Sequence, residues 1–96
     1  MYTTKSIEDV NAADIVTTIS RYLPDLKKQG ANFVAKSPFT QEKTGSFVVS
    51  PAKQMFKDFS SGKGGNGVKF VMEMDKCEWI EAIVKVASIH NIHLDK

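Results

Sequence analysis

The sequence predicts an α+β domain in which a small antiparallel sheet packs with N-terminal and C-terminal helices. Apolar residues recur at three and four near the start, at two through the middle, and at three and four again towards the end. Pro24 marks the first change of period, and a stretch at 60–67 holding four of the six glycines marks the second. Strands grouped between helices, rather than alternating with them, favour antiparallel pairing over βαβ units.

The elements follow in order. Ser6 with Asp9, and Asn11 with Asp14, are successive helix-capping patterns. The second opens a helix over 12–22 whose buried face is Ile15, Ile19 and Tyr22, flanked by Val16 and Leu23. Pro24 ends it, because a residue before proline is pushed out of the helical region. Helices are thus expected within 6–23 and the sheet within 26–59. Gln29-Gly30-Ala31 turns a first hairpin, and Pro51-Ala52 joins a strand at 46–50 to one at 54–59. Along that last strand Met55, Lys57 and Phe59 share one face, and Gln54, Phe56 and Asp58 the other. Helices return over 66–90, the first with Asn66 as its cap. The last carries an apolar stripe of Trp79, Ala82, Ile83, Val86 and Ala87, expected in the core.

Ninety-six residues of 10.6 kDa suit one domain over 1–96. With 42% hydrophobic and 25% charged residues, the composition is that of a globular protein. No apolar run exceeds three residues and the N-terminus lacks an apolar leader segment, so a cytoplasmic protein without membrane contact is expected. A single cysteine, Cys77, excludes an internal disulfide and any zinc site built from two or more thiolates.

The net charge is only +2, yet it is unevenly spread. Between Leu26 and Lys69 eight lysines face only Glu42 and Asp58, whereas the ends are acidic. A basic middle of this kind suits a polyanion. Phe33, Phe39, Phe47, Phe56 and Phe59 interleave with Lys36, Lys43, Lys53, Lys57 and Lys63, the composition with which single strands are held: rings stack on bases and ammoniums follow phosphates. Gly62-Lys63-Gly64-Gly65-Asn66-Gly67 matches G-x-G-x-x-G, but no second parallel strand with its acid follows, so a turn into a helix is expected. His90 and His93 lack further ligands, and no nucleophile–base set emerges.

Over nearly its whole length the chain resembles the N-terminal zinc-binding domain of bacterial and phage DNA primases. Gly30-Ala31-Asn32-Phe33 stands where that family has Gly-x-Asn-Tyr. Ser37-Pro38-Phe39-Thr40-Gln41-Glu42-Lys43-Thr44-Gly45-Ser46-Phe47 is similar to Cys-Pro-Phe-His-x-Glu-Lys-Thr-Pro-Ser-Phe. Pro51-Ala52-Lys53-Gln54 and Asp58-Phe59-Ser60-Ser61-Gly62 match the Pro-x-Lys-Gln turn and the Cys-Phe-Gly-Cys-Gly knuckle. The resemblance implies a zinc-ribbon-like fold whose four ligand positions are Ser37, Thr40, Asp58 and Ser61, and hence a version without zinc or other cofactor. Structural zinc supplies on the order of 10 kcal/mol of folding energy. Stability is therefore expected from hydrogen bonds among those four residues and from packing of Phe39, Phe47, Phe59 and Trp79.

By the same resemblance the domain is not itself an enzyme. It is expected to be a template-binding module of a primase or primase-helicase, from a phage or mobile element, that positions single-stranded DNA for a catalytic domain elsewhere. Lys43, Lys53 and Lys57 are the expected phosphate contacts, with Lys63 and Lys36 behind them. Phe56 is expected as the exposed stacking ring, because an aromatic stands there in the family and its face alternates away from Lys57. Glu42 is expected to brace the Lys43 loop. The alternative is a protein-interaction module that docks a helicase or primase subunit and has little DNA affinity of its own.

Overall fold

The computed structural model describes residues 1–41 and 46–96. Helices α1 (Thr4–Asn11) and α2 (Ile15–Ser20) precede five strands: β1 (Lys27–Gln29), β2 (Asn32–Ala35), β3 (Phe47–Ser50), β4 (Met55–Asp58) and β5 (Gly64–Gly65). Helices α3 (Gly67–Asp75) and α4 (Trp79–His90) follow. The strands pair in chain order, each antiparallel to the next, so the sheet is a meander.

Local chemistry explains most boundaries. Helix α1 is capped by Thr3, whose hydroxyl accepts the Ser6 N–H, and not by Ser6 as expected. The Ser6 hydroxyl is engaged elsewhere, accepting the Asp95 N–H at 2.8 Å, while the Thr3 N–H donates to the Asp95 carbonyl. The C-terminal tail is thereby stitched to the first turn of the chain. Asp14 caps α2 through the Thr17 N–H, and Asn66 caps α3 through the Lys69 N–H. The left-handed residues Lys76 and Asn91 close α3 and α4.

The strand β5 was expected as a turn. Two glycines carry no alternating pattern, so nothing in the sequence marks them as paired. Gly65 holds φ +147°, and a Cβ there would come within 2.8 Å of Lys69 Cγ. The glycine-rich stretch therefore serves the close approach of a short edge strand to α3.

The inner face of the sheet meets the helices through Phe47, Phe56 and Phe70, all buried. Phe47 and Phe56 stack at 5.5 Å between centroids, and Phe70 from α3 meets Phe56 edge-on at 5.5 Å. Ile15, Ile19, Val49, Val71, Ile83 and Val86 complete this core. Trp79 departs from expectation. It is 39% exposed, as the first residue of α4, and the buried stripe begins one turn later at Ala82. No helix among the described residues is long and apolar enough to cross a membrane.

Two polar ties hold the layers. Gln54 is left-handed (φ 54°) at the end of the β3–β4 turn, a conformation that costs a non-glycine residue about 1–2 kcal/mol. Its side chain offsets that cost by accepting the Ile15 N–H at 2.8 Å and donating to Pro51 O and Asp14 Oδ1. On the other side Asp75 accepts from the Tyr22 hydroxyl and the Lys85 ammonium, both at 2.8 Å, joining the end of α3 to α4 and to the segment after α2. Burial and the bond to Asp75 hold the Tyr22 hydroxyl well above its ordinary pKa.

Replacing Gln54 by Ala keeps the strained turn and removes its compensation. Urea unfolding is expected to show a loss of about 2 kcal/mol, with unchanged slope. Tyr22 contributes stability below the ordinary tyrosine pKa, near 10, and that contribution fades as pH rises further, because the unfolded chain ionises first. Melting curves above pH 10 should therefore show the parent chain losing stability with pH faster than Tyr22→Phe.

Candidate nucleic-acid interface

With the helices on one face, the opposite face of the sheet is open. Its side chains follow from the register. Lys27, Val34, Val48, Lys57 and Gly64 are successive cross-strand partners and form one row, two lysines flanking two valines. The neighbouring row includes the pairs Gln29–Asn32 and Ser50–Met55. Extending the register by one residue places Lys36 and Phe59 on either side of Ser46, whose carbonyl accepts the Phe59 N–H at 2.9 Å. Asn32, Val48, Ser50, Lys53, Met55, Lys57 and Phe59 line a shallow concavity of about 580 Å³.

Phe59 is 68% exposed and Met55 49%, large apolar surfaces side by side with ammonium groups. Lys36, Lys53 and Lys57 are exposed, and among the described residues no carboxylate pairs with them. Lys57 Nζ donates to the Gly62 carbonyl at 3.2 Å, which folds its stem over the β4–β5 connection. The face offers one exposed ring and a thioether alongside cations that no described carboxylate neutralises.

Phe56 is corrected by this arrangement. It is 2% exposed, packed between Phe47 and Phe70, and cannot stack on a base. The alternation of β4 was read correctly, but the core lies on the side of Phe56 and Asp58. Phe59, expected to pack inside, is the exposed ring. The signal was present, since Lys57 marks the wet face and Met55 and Phe59 share its parity. Lys27, also on this face, was not singled out. Lys63 turns to the other side, where its ammonium pairs with Glu73 at 3.1 Å and lies 6.0 Å from the Phe39 ring centroid. Glu73 also binds Lys69, and these two lysines hold its carboxyl below the usual range. Glu42 and Lys43 lie outside the described residues.

The four positions matched to zinc ligands do come together. Asp58 is fully buried on the inner face, paired with Phe47 across the sheet. Its Oδ2 accepts from Ser37 Oγ and Ser61 Oγ, both at 2.6 Å. Ser60, which the resemblance did not single out, donates to Oδ1 at 3.1 Å, and Thr40 Oγ1 lies 2.8 Å from the same Ser60 hydroxyl. Burial pushes the Asp58 carboxyl up, but the bonds from Ser37, Ser61 and Ser60 outweigh it and hold the group below the usual carboxylate range. Zinc in a structural site takes four strong donors, mostly thiolate or imidazole. Neutral hydroxyls around one carboxylate that they already saturate do not fit it.

Comparison with known proteins agrees with the fold and the motifs. The CHC2 zinc finger family matches residues 2–96. The DNA primase of Listeria monocytogenes is 51% identical over 85 residues, covering 88% of this chain and 13% of that protein. The DNA primase of Escherichia coli K12 is 43% identical over 81 residues, covering 84% of this chain and 14% of that one. The chain thus spans about one-seventh of the length of these relatives. Among solved structures, the Aquifex aeolicus primase, with zinc-binding and RNA polymerase domains, superposes with a TM-score of 0.85 at 40% identity, over 94% of this chain and 22% of that one. Fold, motif spacing and sequence identity agree that the chain belongs to the CHC2 zinc finger family, the zinc-binding domain of DNA primases.

Proposed function

We propose that the open face of the sheet binds single-stranded DNA template and positions it for primer synthesis by a catalytic domain elsewhere in a primase. The observation that supports this most directly is that exposed Phe59 and Met55 line one concavity with Lys53 and Lys57, which have no carboxylate partner among the described residues. Bases stack on Phe59 and slide over Met55, Val34 and Val48, while Lys36, Lys53 and Lys57 follow the phosphates, joined by Lys43. An aromatic platform beside cations suits single strands better than duplex, whose bases offer no free ring face. Lys63, neutralised by Glu73, contributes weakly. The module holds template and leaves bond formation to the catalytic domain, with a replicative helicase as a further partner of the assembly.

The test is anisotropy of labelled single-stranded and duplex oligonucleotides at several salt concentrations. Three or four engaged lysines give a slope of log affinity against log salt of roughly −2 to −3, since each neutralised phosphate adds about −0.7. Lys53→Ala and Lys57→Ala should each flatten the slope by about one phosphate equivalent. Phe59→Ala should weaken single-strand binding roughly 5- to 150-fold with the slope unchanged, the range expected for one lost stacking contact. Equal affinity for duplex, or indifference to Phe59, would count against the reading. Absence of binding at low salt would favour a protein-docking module, for which Trp79, Ile80 and Val84, all partly exposed on α4, are the surface to examine.

A further inference from the structure

The residues at the zinc-ligand positions fail as a zinc site, yet they form an ordered network. Each hydroxyl around Asp58 has a defined direction. Ser37 Oγ accepts the Phe39 N–H at 3.1 Å and gives its proton to Asp58. Ser61 Oγ accepts the Lys63 N–H at 3.3 Å and gives its proton to the same carboxylate oxygen. Ser60 donates to Asp58, which leaves Thr40 as the donor to Ser60. The Asp58 backbone closes the second loop on itself, its N–H donating to Lys63 O and its carbonyl accepting the Gly62 N–H, both at 2.8 Å. One carboxylate thus gathers protons from the loop after β2 and from the loop after β4, the two segments that the zinc-ligand positions occupy.

We infer that this carboxylate-centred hydroxyl cage takes the place of a metal ion in joining the two loops, so that the chain folds and keeps its open sheet face without zinc. A metal joins loops by drawing lone pairs to a cation; here an anion draws protons from hydroxyls. Cys and His donors would lose their lone pairs to acid or oxidants, whereas this cage contains no thiol and no imidazole. The one thiol, Cys77, lies at the α3–α4 junction. Because Phe59 stands between two cage residues, Asp58 and Ser60, the same network sets where that ring emerges. The inference does not depend on DNA binding, and its readouts involve no DNA.

The experiment uses the natively purified 96-residue chain. Native mass spectrometry after incubation with zinc chloride should find no stoichiometric zinc. The melting temperature should change by less than about 1 °C between excess zinc and excess chelator, because a metal that binds neither the folded nor the unfolded chain leaves it unmoved. One retained equivalent of zinc, or a chelator-induced fall of about 10 °C, would overturn the inference. Ser37→Ala and Ser61→Ala should each lower the melting temperature by roughly 5–10 °C, and Ser61→Thr, which keeps the hydroxyl, should restore most of the loss. The double serine variant should lose more than the two single losses together, because either hydroxyl alone still covers the shared oxygen and removing both leaves it nearly bare in the interior. Serine variants that melt with the parent chain would also overturn it.

Discussion

A carboxylate cannot remain charged in a protein interior unless neighbouring protons replace its water, and the buried Asp58 meets that demand through Ser37, Ser60 and Ser61. Because those hydroxyls come from two separate segments, satisfying one group ties Ser37, just after β2, to Ser60 and Ser61, just after β4. Asp58 sits on β4 opposite Phe47, so the network is continuous with the aromatic core. Pleat parity then sends its neighbours Lys57 and Phe59 outward. The polar centre and the exposed face are thus two consequences of one strand.

The remainder of the fold supports that strand. Phe47, Phe56 and Phe70 set the spacing between sheet and helices, and Phe39, from the loop carrying Ser37 and Thr40, packs against all three. Gln54 fixes the other end of β4 by tying its turn to the first N–H of α2. Gly65 of β5 lets the edge of the sheet lie against α3 where a side chain would collide with Lys69. Each of these contacts constrains the β4 backbone, which carries Met55, Lys57 and Asp58 and leads directly into Phe59.

Electrostatics separates the two sides of the molecule. On the helix side Lys63 and Lys69 share Glu73, and Lys85 meets Asp75. On the open face Lys36, Lys53 and Lys57 meet no carboxylate among the described residues. A basic segment that reads as uniform along the chain is therefore divided in space, Lys63 and Lys69 being paired with Glu73 and the open-face lysines not. This division is the physical basis for assigning the proposed template contacts to the sheet rather than to the glycine-rich loop.

Much of this was legible in the residues alone. Periodicity indicated helices at both ends and two hairpins, because that signal depends on local geometry. Of the expected caps Ser6, Asn11 and Asn66, only Asn66 serves, Thr3 and Asp14 capping the first two helices. Motif spacing identified the family and the positions that gather around Asp58, Ser37 and Ser61 directly and Thr40 through Ser60. The alternation along β4 was also local, and it paired Phe59 with Lys57. What sequence could not decide was which face of that strand the helices would cover, so Phe56 was assigned to the surface and Phe59 to the core. Nor could it show that Lys63 would meet Glu73, ten residues away, or that Ser60 would join the cage. Parity and spacing are properties of a chain segment; burial and charge pairing depend on what packs against it, and only the tertiary structure supplies that partner.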